Sequence, residues 1–431
     1  MKRFHKTGKA LLWLAAMVAI AQGGRAYSVL THEQVVDLLW EDRIQPMVKA
    51  RFAGLTDKQL REAHAYAYGG SLVQDMGYYP FGSRYFSDLT HYVRTGDFVM
   101  GLLQESQTAN EYAFALGALA HYAADNSGHP MVNHVVAMEF PALQKKFGDV
   151  VTYADSPKAH IRAEFGFDMT QVAKNRYTSD RYHDFVGFEI SQGLLERVFP
   201  KVYGIKFDDV VDDEDVAIGS FRHAVGKVIP EMTRVALLTR RKEIVADTPD
   251  AAEKKYLYYL SRTDYEREWG SEYRRPGFGT KVLAILLKLF PKRGPFSGLD
   301  FRVPSQPAED LFVKSIDETV AGYRRLLHES ELRTLHLANK DCDTGKDTGA
   351  GEYSLSDNTY AHLLNDLSDN NFKQTSSELR GDILAFYKNP DAAVVTKRKK
   401  KDWQRVQDQL QELRNASIVV VSRVDSSAHE K

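Results

Sequence analysis

Two histidine–carboxylate pairs in the first half of the chain have the spacing of metal ligands. The first pair is His121 and Asp125, and the second is His160 and Glu164. Residues four apart lie on one face of a helix, so each pair can direct an imidazole and a carboxylate to the same point. Zinc in proteins is bound by these groups, and some metalloproteases use two histidines at this spacing.

The surroundings of the first pair favour a metal over a surface ion pair. Residues 112–124 consist almost entirely of Ala, Leu, Phe, Tyr and Gly around His121. Ionisable groups inside an apolar helix must be paired or must bind a metal ion. One such pair is usually a solvated surface feature, but two pairs on apolar helices predict zinc binding.

Four more candidate ligands lie in the same part of the chain. They are His32, Asp75, His91 and His129. His32 opens a predicted helix for which Thr31 is the expected N-cap. Asp75 follows a predicted amphipathic helix and borders a turn-rich aromatic loop. Tyr78, Tyr79 and Phe81 of that loop either line a substrate cleft or pack the loop itself.

Other histidines are alternatives or surface residues. His64 follows a charged stretch of its predicted helix, so we expect it at the surface. The sequence Gly128-His129-Pro130 predicts a helix break, and His134 beyond it is the alternative to His129 as a ligand. Because histidines are sparser in the second half, we expect the chemistry before about residue 200.

The elements that must position these side chains are helices. Helical spacing continues in residues 215–245, 251–269 and 307–328. Residues 281–290 are strongly apolar but too few to cross a bilayer, which predicts a core helix. Residues 341–357 form a predicted loop, and the basic run 397–401 opens a last charged helix. With few strand signals, the sequence predicts an all-α fold.

The amino-terminal residues have the pattern of a secretory signal. A basic head precedes an apolar run that is too short to span a membrane, and Gly24-Arg25-Ala26 fits a cleavage site. A short uncleaved anchor is the alternative. Cleavage after Ala26 exposes the α-amine of Tyr27, which can lose its proton near neutral pH and bind zinc. We therefore expect a secreted or periplasmic protein.

Charge and cysteine content exclude some classes of protein. Removal of residues 1–26 takes away five basic and no acidic residues, which changes the formal net charge from −1 to −6. An acidic protein is a poor general binder of polyanions, so we expect no stable nucleic-acid partner. Cys342 is the sole cysteine, so no intramolecular disulfide forms and packing must supply the stability.

As an ordered set, these residues resemble the bacterial zinc-dependent phospholipase C family. That family shares an all-helical site for three zinc ions with zinc-dependent single-strand nucleases. The resemblance covers roughly residues 27–200. With the signal pattern, it divides the chain into a signal peptide at 1–26, a phospholipase C-like domain at 27–205 and a helical region of unknown role at 206–431.

The resemblance also implies which residues hold each ion. Tyr27, His32 and Asp125 would hold the first. Asp75, His91, His121 and Asp125 would hold the second, with Asp125 as the bridge. His129, His160 and Glu164 would hold the third.

The function implied is phosphodiester hydrolysis by a zinc-bound hydroxide, with Asp75 as general base. The expected substrate is a phospholipid or another phosphodiester, met in transient contact with a membrane surface. A nuclease or nucleotidase is the alternative, disfavoured by Glu164, where the nucleases use Asp, and by the lack of disulfides. The second alternative is a non-catalytic helical protein that zinc stabilises.

Overall fold

The computed structural model describes residues 28–174, 176–177, 187–230, 232–233, 236 and 301–417. The predicted signal sequence, Tyr27 and the predicted helices at 251–269 and 281–290 lie outside these residues. Within the described residues the only β-pairing is an isolated antiparallel bridge between Lys340 and Asp347, so the all-α prediction is confirmed.

Helices α1 to α15 follow one another along the described chain. Their bounds are Val29–Leu39, Gln45–Arg51, Asp57–Leu72, Arg84–Tyr92, Thr95–Glu105, Ala109–Glu139, Pro141–Phe147, Pro157–Ala173, Gln192–Tyr203, Phe207–Val210, Glu214–His223, Gln306–Glu331, Ser354–Asp369, Ser377–Phe386 and Lys400–Asn415. Short 3-10 or π-helical turns lie at Trp40–Ile44, Val73–Tyr78, Ala224–Val228 and Val395–Arg398. No helix in this part of the chain is both long enough and apolar enough to cross a membrane.

The first helix begins earlier than the sequence predicts. Ser28, not Thr31, is the N-cap residue of α1, and Thr31 lies inside the helix. Asp168 of helix α8 explains the difference, because its carboxylate accepts hydrogen bonds from the Leu30 N–H at 3.1 Å and the Thr31 hydroxyl at 2.8 Å. A distant carboxylate thus satisfies a free N–H of the first turn that a local side chain usually satisfies.

The central helix, α6, continues through Pro130, so the predicted break is wrong. Proline lacks the N–H that would bond to the carbonyl of Asn126, four residues earlier. Gly345 lies against that carbonyl, and a Cβ atom at Gly345 would stand only 2.6 Å from the Asn126 oxygen. Tertiary packing therefore covers the gap, and α6 keeps one continuous face.

Helices α3 and α6 approach each other backbone to backbone. A Cβ atom at Gly70 would lie 1.9 Å from the carbonyl oxygen of Phe114, and one at Gly117 would lie 2.1 Å from that of Ala67. Real side chains never come so close, so only glycine fits at either position. This contact brings the end of α3 beside the middle of α6.

The region after residue 300 packs on the same core as the helices before it. Helix α12, which confirms the helix predicted at 307–328, runs along α6, and the Tyr323 hydroxyl donates to the Leu116 carbonyl at 2.8 Å. The rings of Phe312 and Phe167 stack with centroids 4.4 Å apart. The segment between α12 and α13 returns to α6, where the Tyr122 hydroxyl donates to the Ala338 carbonyl at 2.8 Å.

Candidate metal centre

Asp125, at the middle of α6, is surrounded by imidazoles. Its Oδ2 atom lies 3.1 Å from His121 Nε2 and 3.3 Å from His91 Nε2. Its Oδ1 atom lies 3.5 Å from His32 Nε2. Asp125 and these three histidines are buried. Helices α1, α4 and α6 therefore deliver one carboxylate and three imidazoles to a single interior point.

Asp75 adds a second carboxylate to this cluster, next to His91 of α4. It lies in the 3-10 turn after α3, and its Oδ1 atom is 3.4 Å from His91 Nε2. The Nε2 atoms of His91 and His121 are 3.3 Å apart, and the ring of His32 stacks on that of His121 at 4.4 Å.

Two groups in the cluster have ligand atoms close enough to share one metal ion, all within 4.8 Å of one another. The groups are His32, His121 and Asp125, and Asp75, His91 and His121. They overlap at His121, so the two positions lie side by side.

The remaining predicted ligands form the other end of the same cluster. His129 Nε2 lies 3.9 Å from Asp125 Oδ2, and the rings of His129 and His160 are 6.4 Å apart. His160 Nδ1 faces Glu164 Oε1 at 3.6 Å, one turn along α8. The structure therefore brings together eight of the nine residues predicted from the sequence, and the ninth, Tyr27, lies outside the described residues.

Backbone carbonyls hold three of the imidazoles in the orientation that a metal needs. Ser87 O accepts from His91 Nδ1 at 2.7 Å, and Ser71 O accepts from His121 Nδ1 at 2.9 Å. A carbonyl can only accept, so each ring carries a proton on that nitrogen and turns Nε2 towards the cluster. For His160 the arrangement is reversed, because Nε2 donates to a carbonyl and Nδ1 faces Glu164.

Several ligand atoms that face the interior of the cluster make no hydrogen bonds within the described part of the chain, although they are buried. Both oxygens of Asp125 and of Glu164, together with Asp75 Oδ1, His129 Nε2 and His160 Nδ1, are buried and make no hydrogen bond with any described residue. Leaving a buried polar atom unsatisfied costs about 1–3 kcal/mol. Nitrogen and carboxylate oxygen are zinc donors, so the residues present fit zinc ions.

The charges of the cluster suit a cation. Burial lowers the pKa of His32, and His121 adds to this effect, so that the pKa falls to about 3. Burial alone would raise the pKa of Asp125, but His121 and His129 hold it well below its usual range. Asp125 is therefore ionised and His32 is neutral at pH 7, which are the forms that bind metal ions. Burial opposes a charge on His91, but Asp125 and Asp75 outweigh it and raise the pKa of His91 to about 10, so a metal ion bound there must displace a ring proton.

The sequence did not identify Asp343, which also reaches the centre. Its Oδ1 atom lies 3.0 Å from His129 Nδ1, and its Oδ2 atom accepts hydrogen bonds from the hydroxyls of Tyr92 at 2.7 Å and Tyr353 at 2.5 Å. The expectation that the chemistry lies before about residue 200 is therefore incomplete. Asp343 stands in a loop without helical periodicity, and no spacing rule connects it to His129.

Two further histidines, His134 and His64, lie outside this cluster. His134, the alternative to His129, is exposed on the outer side of α6, where its Nδ1 bonds to Asp149 O at 2.9 Å. His64, predicted at the surface, is buried: its Nε2 bonds to Asp37 Oδ1 at 2.9 Å and its ring stacks on Trp40 at 3.9 Å. The prediction for His64 is wrong because the exposed start of α3 ends at Glu62 and the rest of the helix enters the core.

The aromatic loop after Asp75 has both buried and exposed rings. Tyr78 lies with its ring centroid 6.0 Å from that of His91, and Tyr79 packs on Phe221. Phe81 is 72% exposed and has a left-handed backbone with φ of 64°. The loop thus connects the metal cluster to the surface of the molecule.

Comparison with known proteins identifies part of the chain. The family model described as zinc dependent phospholipase C matches residues 31–206. This stretch contains the eight clustered ligand candidates and excludes Asp343. No curated protein and no solved structure matches the chain.

Proposed function

We propose that this protein, whose residues 31–206 form a domain of the zinc-dependent phospholipase C family, hydrolyses the head-group phosphodiester of phospholipids. The observation that carries the proposal is the burial of Asp125 within 3.9 Å of imidazole nitrogens from His32, His91, His121 and His129. A buried ionised carboxylate without hydrogen bonds, surrounded by imidazole nitrogens, is a site for divalent cations.

In the proposed enzyme we assign the residues to three zinc positions. His32, Asp125 and the amine of Tyr27 would hold one ion, and Asp75, His91, His121 and Asp125 would hold the second. His129, His160 and Glu164 would hold the third. Bound zinc supplies an activated water and positive charge for phosphoryl oxygens.

Asp75 is the residue we propose as general base. It is 4% exposed, and its Oδ1 atom faces the cluster without a hydrogen bond from the described residues. A carboxylate in this position can orient a water and accept its proton as the phosphorus is attacked. Asp75→Asn should lower kcat by about 100-fold or more with a smaller change in KM. An unchanged kcat contradicts this role.

The aromatic loop is the part of the chain that we propose meets the lipid. Phe81 presents an apolar ring to the outside, only six residues from Asp75. Contact of such a ring with an acyl chain would bring the head group towards the cluster. Phe81→Ser should raise KM for phospholipid vesicles and leave hydrolysis of a short soluble ester unchanged. Equal effects on both substrates contradict the proposed contact.

The alternative substrate is single-stranded nucleic acid, on the same metals. Phospholipid is favoured because the last ligand is Glu164, where the nucleases use Asp, and because the chain has one cysteine. Phosphatidylcholine vesicles and single-stranded DNA should be offered side by side to the zinc-loaded protein. We expect release of phosphocholine, and hydrolysis of DNA alone overturns the substrate proposal.

The same experiment separates an enzyme from a protein that zinc only stabilises. A structural zinc site has all its positions filled by protein, whereas a catalytic site leaves one for water. Hydrolysis of neither substrate by a protein that retains its zinc favours the non-catalytic alternative.

We also propose that the mature protein is exported. The basic head and apolar run of residues 1–26 fit a secretory signal. Amino-terminal sequencing of the protein from the periplasm or the medium should give Tyr27 as the first residue. A mature chain that still carries the apolar run contradicts cleavage. Contact with the membrane would be transient, and no stable nucleic-acid partner is expected.

A further inference from the structure

We infer that Asp343 is a positioning residue of the metal centre and that the region after residue 300 completes this centre. The inference rests on the zinc binding that is part of the proposed function. It assigns a role to a residue outside the stretch that matches the family model.

Asp343 faces the nitrogen of His129 that lies away from Asp125. Asp343 Oδ1 is 3.0 Å from His129 Nδ1, while His129 Nε2 faces Asp125. A carboxylate oxygen at this distance favours a proton on Nδ1, which leaves Nε2 as the ring nitrogen that can bind a metal ion. A carboxylate partner also makes an imidazole a stronger ligand than a neutral partner does.

His129 differs in this respect from other imidazoles of the cluster. His91, His121 and His160 each place one ring nitrogen against a backbone carbonyl. On α6, the Asn126 carbonyl near His129 is covered by Gly345 of the same loop that carries Asp343. The loop therefore packs against the helix beside Pro130 and places a carboxylate oxygen beside Nδ1 of His129.

Asp343 makes hydrogen bonds both with residues of the stretch that matches the family model and with residues of its own loop region. Its Oδ2 atom accepts from Tyr92 of α4 and from Tyr353, and its backbone carbonyl accepts from Asn133 Nδ2 at 2.9 Å. Its backbone N–H donates to Asp341 Oδ1 at 2.9 Å. These contacts fix the carboxylate in one orientation, as a second layer around a metal ligand requires.

A second contact ties the same loop to another ligand of the centre. The backbone N–H of Cys342 donates to the carbonyl of His91 at 3.0 Å. Residues 342 and 343 thus touch the elements that carry His91 and His129 at once. Each contact joins the loop to a residue within the family stretch, so the loop is part of the wall of the centre.

The test compares Asp343→Asn with Asp341→Asn in the full chain. Both substitutions change a buried carboxylate to an amide in the same loop. Asp341 binds the backbone of Asp343 and Thr344 and the hydroxyl of Ser356. Asp341→Asn keeps one oxygen that can accept from the Asp343 N–H and loses the acceptor for Ser356, so this variant controls for damage to the loop itself.

Zinc content and zinc affinity are measured by metal analysis and by competition with a chelator. Asp343→Asn should weaken binding of the zinc ion that His129 would hold by about 10- to 100-fold. Asp341→Asn should lower the thermal midpoint but keep the zinc affinity. Equal loss of zinc in both variants, or no loss in Asp343→Asn, overturns the inference.

A double variant shows whether Asp343 acts through His129. If it does, His129→Ala and His129→Ala with Asp343→Asn bind zinc equally, because the ligand that Asp343 orients is already gone. A further loss of zinc in the double variant would mean that Asp343 binds metal itself, and it overturns the positioning role.

A milder variant covers the case in which Asp343→Asn does not fold. Tyr92→Phe removes one hydrogen bond from Asp343 Oδ2 and leaves the carboxylate beside His129. Its zinc affinity should fall several-fold, and an unchanged affinity overturns the inference.

The two proposals fail in different ways. A wild-type chain that binds zinc but hydrolyses no phosphodiester contradicts the proposed function alone. A wild-type chain that binds no zinc contradicts both.

Discussion

Asp125 lies one helical turn after His121, and the two side chains meet at 3.1 Å inside the protein. His129 follows one turn later on the same face of α6. Three ligand candidates on one helix need a helix without a break, and α6 is continuous through Pro130, where Gly345 packs against the Asn126 carbonyl. The geometry of α6 is thus the basis of the proposed site.

Asp125→Asn should abolish phospholipid hydrolysis and lower the zinc content. An amide cannot supply two anionic oxygens to neighbouring cations, so we expect activity to fall by more than about 100-fold. Hydrolysis and bound zinc are measured on the same preparation. Asp57→Asn, on the exposed first turn of α3, is the control and should change neither. Full activity of the Asp125 variant contradicts its bridging role.

Gly117→Ala should destabilise the protein through the contact between α3 and α6. The added methyl group would lie 2.1 Å from the Ala67 carbonyl oxygen, so the helices must separate, at a cost of about 1–3 kcal/mol or more. Gly219→Ala is the matched control, because nothing lies within 4 Å of its added Cβ atom. In urea unfolding, the control should gain about 0.4–1 kcal/mol. Equal stability of the two variants contradicts the close packing.

Asp168→Asn should change how stability depends on pH. Burial raises the pKa of Asp168 from 3.8 to about 7, although Ser28, Thr31 and Leu30 donate to it. Because the folded protein binds this proton more tightly than the unfolded chain, stability is lost as pH rises between these values. The free energy of unfolding of the wild type relative to the variant should fall by about 2–3 kcal/mol between pH 5 and pH 8. Urea unfolding at both pH values measures it, and a difference independent of pH contradicts the prediction.

An extra residue before Tyr27 should weaken one zinc position. The proposed first site uses the α-amine of Tyr27, and an added alanine turns that amine into an amide, which is not a zinc ligand. Mature chains that start at Tyr27 and at an added alanine are compared for bound zinc. We expect the longer chain to lose about one zinc ion. Equal zinc content in both chains contradicts the role of the amine.

Local patterns in the sequence predict the ligand candidates on helices but not the residues that contact them from distant parts of the chain. The pairs His121 with Asp125 and His160 with Glu164 follow from the helical repeat, which depends on neighbouring residues alone. Asp343 could not be predicted in this way, since its position depends on how a loop after residue 330 packs on α6. The predicted helix break at Pro130 is wrong for a similar reason. The packing around Pro130 involves residues that are distant in sequence, such as Gly345 against Asn126.

The measurement that tests the account most directly is the zinc content of the purified mature chain, with Asp125→Asn beside it. If the buried cluster is the metal centre of a zinc-dependent phospholipase C domain, the wild type retains more than one zinc ion per chain after dialysis, and the variant retains fewer. A wild-type chain that carries no zinc, or a variant that carries as much as the wild type, contradicts the account.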